Sequence, residues 1–448
     1  MSIAYWVFLI QRWGTSELVN IMVDPLKTYP LQAQWQSVQA HAETMTSQSL
    51  VAYPTSIEEC LGMINYSQQQ GMSICPRGGG LTYGDMILNS NQILLDLSKM
   101  NRILNWNSES GQITVEPGVP FSAIFNQVLL ENWTISSCPG EMGVTIGGAL
   151  SNNVHGKDSW SKGNFGNQVL SFKLLTASGE IKTVTSENEK PLFQAVIGGM
   201  GLLGIIVEIT LQLTKIPSPF VEVTSVPTAN ITESIQILEE IKDDAFSVVW
   251  VDAFAKEKGL GRGFVSFAKW VEHDEVLSPE RLTQSLTMPT KIFGLLPAKP
   301  TWFLGRPFFR PWGIRLVNIL NYNWSRFRME HQKSPLPMLF TDYNFMHKKI
   351  PDLKHVYRPH GFLEFQPIIP RACGVEGVIE LFKLCQRHHC ESLLCALKIH
   401  QDDEFMISYA SEGYSISIDF QVAGRNPKHI EQFSRDLFQF TLDCGGKT

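Results

Sequence analysis

Three consecutive glycines, Gly78, Gly79 and Gly80, follow a short apolar segment and constrain this chain more than any other feature of its sequence. Glycine has no side chain, so a run of glycines after a strand turns tightly and leaves backbone N–H groups uncovered. Such N–H groups form a concave site for an anion, for example a phosphate. The sequence therefore predicts that this loop binds an anionic group.

A second glycine-rich segment begins at Gly140, continues through residues 145–149 and leads into a polar stretch that contains His155 and Lys157. A single glycine loop is more often an ordinary turn than a binding site. Two such segments in series, followed by polar residues, predict instead a pyrophosphate that is held from both sides.

These segments resemble those of a known family, the flavoproteins of the vanillyl-alcohol oxidase (PCMH) type, and within it the decaprenylphosphoryl-β-D-ribose oxidases. Residues 77–80 and 83–85 are similar to the family's pyrophosphate loop, and residues 155–157 and 165–167 to its substrate-facing segment. Similar segments continue at residues 174–180, 201–206, 250–252, 361–366 and 418–420. The resemblance covers residues 50–448 and implies that the chain binds FAD.

The resemblance implies an α+β fold in two parts. Residues 47–217 are expected to form a two-subdomain PCMH-type FAD-binding domain, and residues 218–448 an α+β substrate or cap domain. Residues 1–46 are expected to be a poorly specified N-terminal extension. The length of 448 residues, which exceeds the usual size of one domain, agrees with this division.

Local patterns predict individual elements. Ser56 and Glu59 form a capping box for a helix that ends at Gly71. Further helices are predicted over residues 121–131, 374–389 and 427–440, a hairpin over 169–184, and strands over 93–97, 246–252, 263–270 and 362–368. Residues 199–204 match G-x-G-x-x-G, but β-branched residues follow, so a strand is predicted there and not a Rossmann helix.

The resemblance implies a set of FAD-binding residues from both glycine segments and from a later strand. They are Pro76, Arg77, Gly78, Gly79, Gly80, Leu81, Thr82, Tyr83, Gly84, Gly140, Thr145, Ile146, Gly147, Gly148, Asn152, Asn153, His155, Gly156, Ile205 and Ile206. Many relatives carry a histidine, bonded covalently to the flavin, directly after the last glycine of the loop. This chain has Leu81 there, which predicts noncovalent FAD.

Five residues are expected to act on the substrate. The resemblance places His155 as a base and Lys157 as a cation beside the flavin ring, with Tyr83 lining the pocket. Lys398 interrupts an apolar strand, which is costly unless the lysine meets an anion or a substrate oxygen. Gln366 fits the same pocket wall, although a glutamine that faces water is a close alternative.

Within its 448 residues the chain lacks the Tyr-x-x-Lys-Asp segment with which the family continues. In the family, the tyrosine and the lysine of that segment reach the flavin ring. Stabilisation of the reduced flavin is therefore expected to depend on Lys157, Lys398 or a backbone dipole, and reduced or absent activity is an alternative, as is a truncated reading frame.

Composition excludes several classes. A net charge of -6 argues against general nucleic-acid binding, which needs a basic face. The 8 scattered cysteines form no disulfide framework, and those near Cys385 and Cys390 lack the spacing of a zinc knuckle, so no metal site is predicted. Residues 1–10 are apolar but too short to cross a bilayer. We expect a cytoplasmic protein, peripheral on the inner face of the membrane.

Residues 281–329 contain no acidic side chain and interleave cations with aromatic rings. The cations include Lys291, Lys299, Arg306, Arg310, Arg315, Arg326 and Arg328, and the aromatic residues include Trp302, Phe303, Phe308, Phe309, Trp312 and Trp324. This composition suits a surface that contacts lipid headgroups. The alternative is an irregular insertion whose rings pack on the cap domain, because its prolines are expected to break any continuous amphipathic helix.

The predicted function is FAD-dependent oxidation of a secondary hydroxyl of a sugar to a ketone, with hydride transfer to flavin N5. The resemblance implies a lipid-linked pentose such as decaprenylphosphoryl ribose as substrate, and a short-chain reductase partner that reduces the keto sugar. An aldonolactone-type sugar oxidase and a catalytically impaired flavin-binding protein are the alternatives.

Overall fold

The computed structural model describes residues 31–272, 276–292, 294–331, 335–422 and 425–448. Helices pack against three larger sheets in this part of the chain, which agrees with the predicted α+β class. The apolar residues 1–10 lie outside the described residues.

The first sheet has four strands, β1 to β4, with the bounds Gln34–Gln39, Thr46–Ala52, Ile74–Arg77 and Ile93–Asp96. Their order is β1-β2-β4-β3, in which β1 and β2 are antiparallel and the other pairs are parallel. Strand β1 lies within residues 1–46, so the expectation of a poorly specified extension is wrong for this part of the segment. Strand β3 ends at Arg77, so the first glycine loop directly follows this strand.

Helix α1, Ile57–Gln70, supplies the crossover between the parallel strands of this sheet. The Ser56 side chain accepts a hydrogen bond from the Glu59 N–H, and Gly71, at φ +64°, ends the helix in the left-handed region. The predicted helix and both of its ends are confirmed.

The second group of strands, β5 to β11, has the bounds Ile103–Asn107, Gln112–Val115, Trp133–Thr134, Val169–Leu175, Ile181–Thr185, Ile205–Gln212 and Thr214–Lys215. Five of them form an antiparallel sheet in the order β5-β6-β10-β8-β9, and β7 pairs with β11. Strands β8 and β9 are the predicted hairpin. Strand β10 directly follows the G-x-G-x-x-G sequence, which confirms that this sequence does not begin a Rossmann helix.

Four helices accompany this sheet: α2, α3, α4 and α5, with the bounds Phe121–Val128, Ile146–Ser151, Ser159–Lys162 and Lys190–Val196. Helix α2 buries Phe121, Ile124, Phe125 and Val128, which recur at the spacing of one helix face. The predicted helix over residues 121–131 is confirmed, with its last turn, Leu129–Glu131, wound as a 3₁₀-helix.

The third group of strands, β12 to β21, has the bounds Phe220–Thr228, Phe246–Val251, Gly263–Trp270, Lys291–Ile292, Leu296–Pro297, Leu336–Leu339, Phe362–Phe365, Ile368–Pro370, Cys395–His400 and Gly413–Gln421. The large sheet has the order β17-β12-β14-β13-β20-β21-β18, with β19 also paired to β21. The single strand predicted over residues 362–368 is divided, because Pro367 has no N–H to donate to the ladder. Gln366 therefore lies between two strands and not on one.

Seven helices belong to this half: α6 to α12, with the bounds Ile231–Ile241, Pro279–Ser285, Ala298–Gly305, Pro311–His331, Phe340–Asn344, Gly374–Arg387 and Pro427–Asp443. The predictions of α11 and α12 are confirmed. The expectation that prolines break any long helix in residues 281–329 is wrong, because α9 runs for 21 residues. Pro311 occupies its first position, where a missing N–H costs nothing, and no proline follows within the helix.

Candidate functional site

A cavity of about 320 Å³ lies where the two glycine segments meet the third sheet. Residues 76–83 of the first loop line it, together with Thr145, Gly147, Gly148 and Asn152 of the second segment and Ile206 of β10. Glu364 and Gln366, at the end of β18, complete the wall. The structure thus brings together segments that are far apart in sequence.

The two glycine segments are in direct contact. A Cβ atom on Gly78 would collide with the Thr145 hydroxyl, and one on Gly79 would lie 2.8 Å from the carbonyl oxygen of Gly143. Real Cβ atoms do not approach backbone oxygen so closely, so only glycine fits at position 79 without movement of the main chain. The close approach of the two loops explains the glycines in physical terms.

The first loop presents hydrogen-bond donors without acceptors. Within the described part of the chain, the backbone N–H groups of residues 78–82 make no hydrogen bond. The buried Nε of Arg77 also lacks a hydrogen-bond partner there, and its nearest carboxylate oxygen, on Asp96, is 3.8 Å away. Residues 78–82 are half-buried or exposed, so their N–H groups are accessible to a ligand, whereas the buried Nε of Arg77 is costly when left unmatched. A diphosphate would satisfy them, so the residues present fit the nucleotide that the sequence predicts.

Some predicted FAD-binding residues do not line the cavity. These are Gly84, Gly140, Ile146, Asn153, His155, Gly156 and Ile205. Ile146 and Ile205 are buried in the core, and a Cβ on Gly156 would lie 2.7 Å from the Ser137 Cα. Ile146, Gly156 and Ile205 are therefore enclosed by protein atoms and do not face the cavity.

The cavity also has lining residues that sequence reasoning missed. They are Met86, Ile87, Leu97, Pro117, Val144, Ser151, Val154, Met200, Gly201, Gly204 and Glu364. Most are ordinary apolar residues that carry no local signal. Glu364 did carry one, since it stands two residues before Gln366 in a strand that is otherwise apolar.

Asn153 ties three segments together from behind the cavity. Its side-chain NH₂ donates to Asp403 Oδ2 at 2.7 Å and to Ser408 Oγ at 2.9 Å, and its Oδ1 accepts from the Gly166 N–H at 2.8 Å. Its φ of +43° lies in the left-handed region, which asparagine tolerates better than most residues.

We therefore expect Asn153→Ala to lower the free energy of unfolding by about 2–4 kcal/mol, because it leaves buried polar groups unpaired. Thermal and urea unfolding measure this change. Ala at the exposed Asn101 is the control and is expected to change stability by less than about 0.5 kcal/mol. Equal stability of both variants would show that the Asn153 contacts do not stabilise the fold.

His155 adjoins the cavity through Gln366. Its Nε2 is 3.2 Å from the Gln366 side-chain amide, and its Nδ1 is 3.4 Å from Lys398 Nζ. The ring also packs edge-on against His400, with centroids 4.8 Å apart, and stacks on Tyr409 at 5.6 Å. The structure thus brings together three of the five predicted catalytic residues.

The electrostatics of this cluster favour a neutral imidazole. Burial, with the nearby Lys398 and His400, lowers the pKa of His155 well below its usual value. Burial also lowers the pKa of Lys398 to about 8, an effect that the carboxylate of Glu364 opposes. In turn, burial and Asp419 raise the pKa of Glu364 to about 8. The neutral imidazole keeps one nitrogen lone pair that can accept a proton, although burial and the neighbouring cation disfavour the protonated form. Its role as a base stays a prediction.

Tyr83 lines the cavity and packs edge-on against Phe362 with ring centroids 5.0 Å apart, while its contact with the substrate stays a prediction. Burial raises the pKa of its phenol above the ordinary value, so the hydroxyl stays protonated. Tyr83 therefore presents an apolar ring and a neutral donor to this side of the site.

Lys157 lies behind the site and does not line the cavity. Its ammonium donates to the Asn344 carbonyl oxygen at 2.7 Å and lies 5.2 Å from the centroid of the Tyr343 ring. Burial, followed by Lys398, lowers its pKa to about 7. These contacts turn the side chain toward α10, so its role as a flavin cation remains a prediction.

Two further kinds of site are not seen in the residues that the structure describes. None of their His, Cys, Asp and Glu side chains form a group of three or more that could hold a metal ion. None of the described helices is both long enough and apolar enough to span a bilayer.

Residues 48–185 match the family described as the FAD binding domain. This range contains both glycine segments, the unmatched N–H groups and His155. The chain therefore carries an FAD-binding domain of the vanillyl-alcohol oxidase (PCMH) type, and it is an FAD-dependent oxidoreductase of the class that acts on CH–OH groups.

The chain is similar to three relatives of known name. The chain is 27% identical over 395 residues to the decaprenylphosphoryl-β-D-ribose oxidase of Mycolicibacterium smegmatis, a match that covers 85% of this chain and 80% of that protein. It is 29% identical to L-gulonolactone oxidase of Bos taurus, over 44% of each chain. It is 30% identical to D-2-hydroxyglutarate dehydrogenase of Xanthomonas citri pv. viticola, over 38% of this chain and 37% of that one.

Proposed function

We propose that the protein oxidises a secondary hydroxyl of a sugar to a ketone, and that its substrate is a lipid-linked pentose such as decaprenylphosphoryl ribose. The observation that carries this proposal is the cluster of His155, Gln366 and Lys398 beside the cavity, in which Gln366 lines the wall and contacts His155. The match to decaprenylphosphoryl-β-D-ribose oxidase over most of both chains supports the choice of substrate.

FAD, when bound, supplies the acceptor for the hydride that leaves the carbinol carbon. The N–H groups of residues 78–82 and the guanidinium of Arg77 would hold its diphosphate. His155 accepts the hydroxyl proton as the C–H bond breaks, so one hydride and one proton leave the alcohol and a ketone remains. Lys398 stabilises negative charge near the reacting atoms, and Tyr83 with Phe362 shields the site from water.

We further infer that FAD is bound noncovalently. Leu81 follows Gly80 directly, and its hydrocarbon side chain has no nucleophile that could bond to the cofactor. Acid precipitation of the purified protein is expected to release all of the flavin, which absorbs at about 450 nm, into the supernatant. Yellow colour that stays in the pellet would contradict this inference.

The proposed substrate is tested by turnover with a polyprenyl-phosphate pentose against a free aldonolactone, with flavin absorbance followed under anaerobic conditions. Bleaching by the lipid-linked sugar alone supports the proposal. Bleaching by the lactone alone supports a second function, an aldonolactone-type oxidase, which the match to L-gulonolactone oxidase favours. A protein that binds FAD but bleaches with neither sugar is a catalytically impaired flavin-binding protein.

A keto sugar is reactive, so a second enzyme must consume it. We propose that a short-chain reductase acts as this partner and reduces the ketone with the opposite stereochemistry, which completes an epimerisation. An enzyme with a lipid-linked substrate must reach the membrane that contains the lipid. We propose that this protein is cytoplasmic and binds peripherally to the inner face of the membrane.

The charge of Lys398 predicts the direction of the pH dependence. The lysine is protonated below its pKa of about 8, so the rate of flavin reduction is expected to fall as the pH rises through that value. Glu364 raises the pKa of Lys398, and Glu364→Gln removes its negative charge. We therefore expect this variant to lose rate at a lower pH than the wild type. The rates of anaerobic flavin reduction, measured from about pH 6 to about pH 10 so that both groups titrate, test this prediction. A rate that begins to fall at a higher pH in the variant than in the wild type would contradict it.

A further inference from the structure

Helix α9, Pro311–His331, turns its apolar side away from the protein. Trp312, Leu316, Leu320 and Trp324 are spaced four residues apart and are 51–65% exposed. The buried side of the same helix carries Asn318 and Ser325 together with Ile314. A helix that packs on a soluble core normally has the opposite pattern, with its apolar stripe inside.

The apolar side of α9 continues onto the preceding turns. Phe303, Leu304 and Phe308 are also more than half exposed, and Phe327 extends the surface at the far end of α9. We call these eight residues, Phe303 to Phe327, the α8–α9 surface. Exposed tryptophans on one side of a long helix are typical of residues that sit at the boundary between lipid headgroups and acyl chains.

Positive charge predominates around the α8–α9 surface, although Arg315 pairs with Glu391 and Arg326 pairs with Glu330. No acidic side chain occurs in residues 281–329, although the whole chain has a net charge of -6. Arg306 and Arg310 line a second cavity, of about 430 Å³, together with Arg358. Arg358 is paired with Glu43 at 2.7 Å, whereas the Arg306 Nε donates only to a carbonyl oxygen, that of His355. This surface complements the phosphates of anionic lipids.

We propose that the α8–α9 surface docks on an anionic phospholipid bilayer, with Arg306 and Arg310 facing the lipid phosphates. A second copy of the chain is a poorer occupant, because a symmetric contact would bring the same positive charges face to face. The surface also adjoins the FAD cavity, since Ile314 and Trp302 pack in one apolar cluster with Phe362 and Tyr83. Docking would thus set the reaction site beside the bilayer that holds a lipid-linked substrate, a consequence that rests on the proposed function.

Co-sedimentation of the full-length, FAD-loaded protein with vesicles tests the docking itself. Binding is expected to phosphatidylglycerol vesicles and to be at least about tenfold weaker to phosphatidylcholine vesicles or in raised salt. Leu320→Asp is expected to reduce binding at least about tenfold, because it places a charge among the inserted side chains. The control is Leu442→Asp, on a leucine of α12 with a similar exposed fraction, and is expected to bind as the wild type does.

Several results would overturn the proposal. One is a wild-type protein that binds neither kind of vesicle, and another is an equal loss of binding in both variants. Vesicle-independent dimerisation that Leu320→Asp abolishes would assign the surface to a second copy. If Arg310→Gln bound phosphatidylglycerol vesicles as tightly as the wild type does, the proposed contact of the arginines with lipid phosphates would be wrong. Because sedimentation needs no substrate, failure of the proposed sugar oxidation would leave the docking result standing, and docking can fail while turnover of the soluble sugar part persists.

Discussion

Gly79→Ala is expected to yield a protein that folds but is colourless after purification. The new Cβ would lie 2.8 Å from the carbonyl oxygen of Gly143, a backbone atom that cannot rotate away. The two loops must then move apart, which disorders the N–H groups that receive the diphosphate. We expect the FAD affinity to fall by about 100-fold, or about 2.7 kcal/mol.

The affinity is measured by calorimetric titration of the apoprotein with FAD, and the occupancy by the flavin absorbance of the purified protein. Gly259→Ala is the control, because no atom lies within 4 Å of a Cβ at that position and it is remote from the glycine loops. It is expected to remain yellow. If Gly79→Ala retained the wild-type affinity, the close contact of the two loops would not be needed for the cofactor.

Lys398→Met is expected to slow flavin reduction by about 100- to 1000-fold, because it removes a preorganised cation from a site shielded from water. Nζ of Lys398 lies 3.4 Å from His155 Nδ1, so the substitution also releases one side of the imidazole. Met keeps most of the volume of the lysine stem, so the fold is expected to persist. Anaerobic stopped-flow reduction by the sugar measures the rate.

Two observations accompany that rate. The exposed Lys383, which pairs with Glu380 on α11, provides the control variant Lys383→Met, with an expected rate within about twofold of wild type. The loss of rate above pH 8 should also disappear in Lys398→Met, since the titrating group is gone. A Lys398→Met enzyme that is fast, or slow with an unchanged pH profile, would remove the lysine from the mechanism.

The elements that sequence reasoning predicted well are those with local causes. Ser56 and Gly71 bound α1 through contacts within a few residues, and the glycine loop is determined by the absence of side chains at residues 78–80. The resemblance to flavoproteins depended in part on this glycine loop. The conformations of the helix ends and of the glycine loop can therefore be predicted from the local sequence alone.

Other features depend on contacts between distant segments and could not be read in this way. Nothing near Lys157 in the sequence indicates that its ammonium meets Asn344, and nothing near Asn153 indicates that it bonds to Asp403 and Ser408. Helix α9 was missed for a different reason. The prolines of residues 281–329 all lie before the second residue of the helix, so they do not interrupt it, and their number alone does not predict a break.

The contacts of His155 have a consequence for how activity arises during biogenesis. Its partners Gln366 and Lys398 come from the opposite half of the polypeptide, 211 and 243 residues away. An immature molecule whose N-terminal half has already captured the nucleotide would still lack the groups that orient its base. Such a molecule would hold the nucleotide without a positioned base, so substrate oxidation would begin only after the two halves have docked.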